Sequence, residues 1–198
     1  MKKAEDTRTE WEDAYGGRTF RHKNEYPNTE IVSFIMGNFS GVKDKSKVRI
    51  LDLGCGWGNN LKLLKDKGFQ YHGIDFSKTA VRHCRRRFKN VIWGDISKLP
   101  YEENFFDCVF DRGAIQHNPR EKIIQIFAEV NRVLMPGGLF YSMLHEKAAR
   151  MDFYTTYLTK TEIRAITKKF SEIRLDYLEF TKNNAAEVYR VNVITARK

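Results

Sequence analysis

Short apolar runs alternate with amphipathic segments along most of this 198-residue chain. Five runs have the length and composition of strands, at residues 48–53, 71–75, 91–95, 106–110 and 139–144. Apolar residues at helical spacing predict helices between them, at residues 59–67, 77–88 and 118–134. Such alternation is typical of an α/β fold in which helices cover both faces of a parallel sheet.

The two ends of the chain have different patterns. Residues 1–30 are mainly polar and predict an N-terminal arm, with aromatic side chains at Trp11, Tyr15, Phe20 and Tyr26. Residues 31–198 predict a single domain that begins with an amphipathic helix. The β-rich runs 173–180 and 188–196 follow each other without a helix, which predicts an antiparallel hairpin at one edge of the sheet.

Capping residues predict where several helices begin. Ser77 is a candidate N-cap, and Asn118 followed by Pro119 predicts another helix start. Thr159 and Glu162 have the spacing of a capping box. Residues 135–138, Met-Pro-Gly-Gly, predict a turn before the fifth strand.

Composition narrows the class of protein. Hydrophobic residues make up 41% and charged residues 30%, as in ordinary globular domains. No apolar run of about 18 residues predicts a membrane helix, and the polar start does not resemble a secretory signal.

Cys55, Cys84 and Cys108 are too scattered for a zinc site and predict reduced thiols in a cytoplasmic protein. The net charge of +10 favours anionic partners without choosing among them.

A glycine-rich turn carries the clearest chemical signal. Residues 51–59, Leu-Asp-Leu-Gly-Cys-Gly-Trp-Gly-Asn, join the first strand to its helix, where backbone can approach a ligand closely. Asp75 follows at the end of the second strand, about 20 residues on, where a carboxylate can accept hydrogen bonds from ribose hydroxyls. The pair indicates a nucleoside-containing ligand. The glycine spacing G-x-G-x-G favours S-adenosylmethionine (SAM) over a dinucleotide.

Five motifs resemble, in order, those of class I SAM-dependent methyltransferases. They lie at residues 50–58, 72–77, 94–100, 106–111 and 132–138. The resemblance implies a seven-stranded sheet of order 3-2-1-4-5-7-6 with strand 7 antiparallel. It also implies methyl transfer from SAM, with S-adenosylhomocysteine (SAH) as product, and nothing in the sequence requires a metal.

The resemblance assigns roles by position. Gly54 and Gly56 would pass under the methionine part of SAM, and Asp52 would hold its amino group. The other predicted cofactor-binding residues are Asn59 in the turn, Asp75 at the ribose, Phe76, Asp95 and Ile96 at the adenine, and Asp111 beside the methionine. Structural alternatives stay open: Asp52 could order its own loop, and Asp95 could cap a helix or a turn. For Asp75 the flanking motifs argue against a purely structural role.

The segment after the fourth strand bears on the acceptor. Residues 111–114, Asp-Arg-Gly-Ala, resemble small-molecule methyltransferases, including thiopurine methyltransferase-like enzymes, and more loosely bacterial glycan-associated methyltransferases. His117 is a candidate general base, since its pKa lies near neutral pH, or it packs the loop. Asp111 is a weaker candidate base. Proximity and alignment alone could also suffice. In such relatives the N-terminal arm covers the site, so residues 1–30 are a candidate lid, with simple packing as the alternative.

Three functional hypotheses follow. The first is a methyltransferase for a small molecule, such as a sugar or nucleotide-linked glycan precursor. The second is an RNA or protein methyltransferase, favoured by the basic run at residues 82–89, which a solvent-exposed helix face also explains. The third is a SAM-binding module without catalysis.

Overall fold

The computed structural model describes residues 4–17, 25–146, 154–182 and 187–198, and every structural statement below concerns these ranges. The strands are β1 Arg49–Leu53, β2 Gln70–Asp75, β3 Val91–Trp93, β4 Phe106–Arg112, β5 Leu134–His145, β6 Glu172–Lys182 and β7 Glu187–Arg197. The helices are α1 Ala4–Gly16, α2 Thr29–Phe39, α3 Asn59–Asp66, α4 Lys78–Cys84, α5 Arg120–Val133 and α6 Lys160–Ile166, with short 3-10 turns at Lys45–Lys47 and Ile115–His117.

The seven strands form one sheet of order β3-β2-β1-β4-β5-β7-β6. Strands β1 to β5 pair in parallel, and β7 pairs antiparallel with both β5 and β6. The predicted strand order, the antiparallel strand 7 and the edge hairpin are therefore confirmed.

Two apolar clusters hold the helices against the two faces of the sheet. Helices α2, α3 and α4 pack on one face, where Ile35, Leu64 and Cys84 are fully buried with Phe110 of β4. Helices α5 and α6 cover the other face through side chains such as Phe127 and Ile163. Burial on both faces explains why the parallel strands are almost continuously apolar.

The capping predictions have mixed outcomes. Ser77 caps α4 by accepting a hydrogen bond from the Ala80 N–H, and Thr159 and Glu162 form the predicted capping box on α6. Asn118, however, does not cap a helix. Its side chain donates back to the carbonyls of Ala114 and Ile115, so it closes the 3-10 turn, and α5 begins two residues later.

The predicted turn at residues 135–138 is wrong, because β5 runs through it. The Gly137 N–H donates to the Lys198 carbonyl, and the Lys198 N–H donates to the Gly138 carbonyl. Pairing with the far end of the chain therefore draws this glycine pair into the sheet, with Gly137 at a φ of 78°.

Three further observations concern the cysteines, the length of the helices and the clustering of potential metal ligands. Cys55, Cys84 and Cys108 are buried free thiols. Within the described ranges, no helix is long and apolar enough to cross a bilayer, and no cluster of three or more potential metal ligands occurs.

Candidate functional site

A cavity of about 440 Å³ lies at the carboxyl ends of the parallel strands, the edge at which open α/β sheets bind ligands. Its size is within the range of small-molecule sites. Six predicted site residues line it: Gly54, Asp75, Phe76, Asp95, Ile96 and His117. Helix α1 closes one side with Thr7, Arg8, Trp11 and Tyr15. The topology thus brings together residues from four separate loops.

The glycine-rich turn is tightly enclosed. Gly54 and Gly56 have φ values of 69° and 49°, in the left-handed region that favours glycine. A Cβ on Gly54 would lie 2.2 Å from the Ala114 Cβ, and one on Gly56 would lie 2.6 Å from the Tyr15 hydroxyl oxygen. Gly54 therefore needs glycine for space as well as for backbone conformation, whereas at Gly56 the end of the Tyr15 side chain would have to move.

Gly54→Ala should lower the free energy of unfolding by roughly 2–4 kcal/mol, because left-handed strain adds to the overlap with Ala114. Gly68→Ala is the matched control, since Gly68 has a φ of 81° but open space around it. Urea denaturation of both variants should give a loss of only about 1 kcal/mol for the control. Equal losses would contradict the role of the contact with Ala114.

Asp75 is buried at the end of β2 and faces the cavity. One carboxylate oxygen accepts from the Gly56 N–H at 2.9 Å and the other from the Ser77 N–H at 2.8 Å. Burial raises the pKa of Asp75 to about 6, although these two hydrogen bonds lower it in part. Each oxygen keeps a further lone pair for a ligand hydroxyl.

Asp95 lines the cavity from the loop after β3. One oxygen accepts from the Ser97 N–H and hydroxyl, as in a turn cap, and the other accepts from Lys122 at 2.6 Å and from Arg8. Burial alone would raise the pKa of Asp95, but the Lys122, Ser97 and Arg8 donors hold it well below its usual range. Asp95 therefore combines the turn-capping role with an ionised carboxylate on the cavity wall.

His117 lies in the 3-10 turn after β4 and lines the cavity. Its Nδ1 is 2.7 Å from the Tyr154 carbonyl oxygen, which can only accept, so Nδ1 carries the proton and Nε2 is the basic nitrogen of the neutral ring. Burial lowers the pKa of His117, and the Tyr154 carbonyl opposes this in part. The Trp11 ring packs edge-on at 5.2 Å between centroids.

Four predicted site residues do not line the cavity. Gly56 lies beneath Tyr15, and Asn59 donates to the Tyr26 carbonyl and the Asn28 side chain, so it fastens α3 to the segment before α2. Asp52 is buried behind the turn, where burial raises its pKa. One Asp52 oxygen has no hydrogen-bond partner among the described residues.

Asp111 is the fourth of these residues, and the structure does not place it as a base. It is fully buried, and its oxygens accept from the Ala114 and Ile115 N–H groups and from the Ser142 hydroxyl. Burial raises the pKa of Asp111 to about 6 despite these bonds. Because both oxygens are engaged inside the protein, Asp111 orders the loop that carries His117.

The sequence analysis named Trp11 and Tyr15 in an arm that is a candidate lid, but it missed that Thr7 shares their face of α1 and lines the cavity with them. Thr7, Trp11 and Tyr15 recur at a spacing of four residues, a helical period that could have revealed this face. Glu12 fixes the helix by accepting from the Thr79 N–H and hydroxyl at the start of α4. Two other aromatic residues belong to the predicted arm. Tyr26 is exposed, and Phe20 lies outside the described residues.

The basic run lies away from the cavity. Cys84 and Phe88 are buried, as the helical spacing predicts, while Arg82, Arg86 and Arg87 are exposed. Arg85 donates to the carbonyl of Val91 at the start of β3. The run therefore lies at the amino-end edge of the parallel strands, opposite the cavity.

Comparison with known proteins agrees with this geometry. Residues 50–138 match a protein-family profile described as a methyltransferase domain. The chain is 32% identical over 110 residues to 24-methylenesterol C-methyltransferase 3 of Arabidopsis thaliana, covering 51% of this chain and 30% of that protein. It is 30% identical over 125 residues to phthiotriol/phenolphthiotriol dimycocerosates methyltransferase 1 of Mycobacterium ulcerans, covering 60% and 45%. The chain thus spans less than half the length of these curated relatives.

Solved structures support the fold at lower identity. The 1,6-didemethyltoxoflavin-N1-methyltransferase of Burkholderia thailandensis superposes with a TM-score of 0.71 at 17% identity, covering 100% of this chain and 91% of that one. A phosphoethanolamine N-methyltransferase of Haemonchus contortus gives 0.68 at 20% identity, covering 96% and 56%. In its sheet order, and in the match of residues 50–138 to a methyltransferase domain, the chain is similar to class I SAM-dependent methyltransferases.

Proposed function

We propose that this chain binds SAM in the cavity at the carboxyl edge of the sheet and transfers its methyl group to a small-molecule acceptor. The observation that carries the proposal is the convergence of Gly54, Asp75, Asp95 and His117 on one cavity. They come from separate loops, and they supply a close backbone approach, two carboxylates and a base. When bound, SAM supplies an electrophilic methyl group on a sulfonium.

The residues present fit such a cofactor. Gly54 lines the cavity with backbone alone, and its missing Cβ leaves room for Ala114 of the loop after β4. Asp75 would accept from the ribose hydroxyls, and Phe76, Asp95 and Ile96 would bind the adenine. Asp52 is buried behind the turn and does not line the cavity, so its predicted contact with the methionine amino group is not part of this proposal.

His117 would act as the general base. The hydrogen bond to the Tyr154 carbonyl places the proton on Nδ1, so Nε2 is the nitrogen that would take a proton, and the lowered pKa keeps the ring neutral at pH 7. A base of this kind suits a hydroxyl acceptor, which must lose a proton during transfer. We therefore propose an oxygen nucleophile.

The acceptor would carry an anionic group. Arg112 lines the cavity, and its buried Nε has no hydrogen-bond partner within the described ranges. An acceptor phosphate or carboxylate would satisfy that donor. A sugar phosphate or a nucleotide-linked glycan precursor combines such a group with hydroxyls. The curated relatives are named instead for sterol and dimycocerosate methylation.

We further propose that residues 1–30 act as a lid. Trp11 and Tyr15 of α1 cover the cavity next to His117 and Gly56, so the helix would exclude water from the reacting groups. A chain lacking residues 1–28 should bind SAM but lose methyl transfer. Full activity of the truncated chain in a methyl-transfer assay would exclude the lid.

Methyl-labelled SAM provides the test of the proposed function. The protein is incubated with labelled SAM and with separate sugar phosphates, nucleotide sugars, sterols, RNA and protein extract. Label in the phosphorylated sugars supports the proposal in full, whereas label in sterols retains methyl transfer but rejects the anionic acceptor. Label in RNA or protein would move the acceptor site to the basic surface. SAM binding without any transfer would favour a non-catalytic module.

A further inference from the structure

Arg8 of α1 makes two contacts inside the cavity. Its guanidinium donates a hydrogen bond to Oδ2 of Asp95 and lies over the Phe76 ring, with Cζ 5.6 Å from the ring centroid. Phe76 and Asp95 are the side chains assigned above to the adenine. A residue 87 positions before Asp95 therefore already occupies both of these contacts.

A guanidinium and an adenine present similar chemistry to this pair. Each is flat and delocalised, so each can stack on an aromatic face, and each offers N–H groups to a carboxylate. Stacking contacts need about 3.5 Å on each side of a ring, so an adenine between Phe76 and Arg8 would need about 7 Å. The observed 5.6 Å between the Arg8 Cζ and the centroid of the Phe76 ring therefore leaves no room for an adenine between these two groups.

The other bonds of Asp95 identify Arg8 as the exchangeable donor. Ser97 donates to Oδ1 from the adjacent turn, and Lys122 donates to Oδ2 from α5. Arg8 comes from α1, and its side chain is 49% exposed, compared with 33% for Lys122. An incoming amino group could replace Arg8 while Ser97 and Lys122 keep the carboxylate ionised and oriented.

We propose that Arg8 sets the affinity of the site for its cofactor by occupying the adenine contacts and competing with the cofactor for Phe76 and Asp95. The inference rests on the proposed binding of SAM in this cavity. It predicts that the intact Arg8 weakens cofactor binding, the opposite of what a residue that holds the bound cofactor would do.

The experiment measures SAH affinity by titration calorimetry for the full chain and for Arg8→Ala. Removing the competing ion pair and stacking contact should tighten SAH binding by about three- to tenfold. Because the Arg8–Asp95 pair is partly exposed, salt screens it, and the difference from wild type should narrow at about 0.5 M salt. Arg86→Ala, on the exposed turn after α4, removes the same charge far from the cavity and should leave affinity unchanged.

The outcomes separate this inference from the proposed function. Unchanged or weaker SAH binding by Arg8→Ala, with wild type binding normally, overturns the competition while leaving the cofactor site in place. Equal tightening by Arg86→Ala would reduce the effect to net charge and also overturn it. If neither wild type nor any variant binds SAH, the cofactor proposal itself fails, and the role of Arg8 fails with it.

Discussion

His117→Ala should lower kcat by about 100-fold or more while changing SAM affinity less than about twofold, as expected for loss of a general base. His117 lines the cavity, and the Tyr154 carbonyl fixes the proton on Nδ1, so the replacement removes the basic Nε2. Initial rates at saturating SAM measure kcat, and calorimetry measures the affinity.

His117→Asn is the matched variant. An asparagine amide can still donate to the Tyr154 carbonyl from about the position of Nδ1, but it has no basic nitrogen. Equal losses in the alanine and asparagine variants would support a base. Near-normal activity of His117→Asn would show that this side chain only holds the loop, leaving alignment of the reactants as the source of catalysis.

Asp75→Ala should weaken SAM binding by about 1–3 kcal/mol, because two ribose hydroxyls would lose their buried acceptor. Asp75→Asn keeps one acceptor oxygen and should lose less. The carboxylate also accepts from the Gly56 and Ser77 N–H groups, so the thermal stability of each variant must be measured beside its affinity.

Asp107→Ala is the control for the loss of a carboxylate that accepts a hydrogen bond from a backbone N–H group. The Asp107 carboxylate accepts from the Arg49 N–H at 2.8 Å, at the edge of the sheet opposite the cavity. This variant should lose stability without losing SAM affinity. Unchanged affinity in Asp75→Ala would refute the assignment of the ribose site.

The Asp75 carboxylate predicts that SAM affinity depends on pH. With a pKa of about 6, Asp75 is ionised at pH 7 and mostly protonated at pH 5, so SAM affinity should fall about tenfold over that interval. In Asp75→Asn the dependence should flatten, even though Asp111 titrates in the same range, because Asp111 does not line the cavity.

The free energy of unfolding of the unliganded protein should change with pH in the opposite direction to SAM affinity, decreasing as pH rises. Burial raises the folded-state pKa values of Asp75 and Asp111 to about 6, above the ordinary value of 3.8, so the folded state binds more protons between these limits. This contribution to stability is therefore present at low pH and is lost as pH rises toward 6.

Much of the lining of the cavity at the carboxyl ends of the strands could be predicted from the sequence. Gly54 and Asp75 lie at loop positions that follow directly from strand–loop–helix units, and parallel strands carry such loops to one edge. Two predicted cofactor-binding residues do not line the cavity, because their side chains make other contacts. Asn59 and Asp111 lie in the right loops, but their polar atoms are engaged in ordering backbone and neighbouring segments.

The sequence by itself determined the parallel α/β architecture and the glycine-rich turn, because side-chain periodicity and glycine conformation are local properties. Only the tertiary structure decided which distant segments meet. It placed Arg8 on Asp95, the Tyr154 carbonyl on His117, and the last residue of the chain along β5. These contacts join positions far apart in the chain, and they depend on how whole elements pack, which no local pattern records.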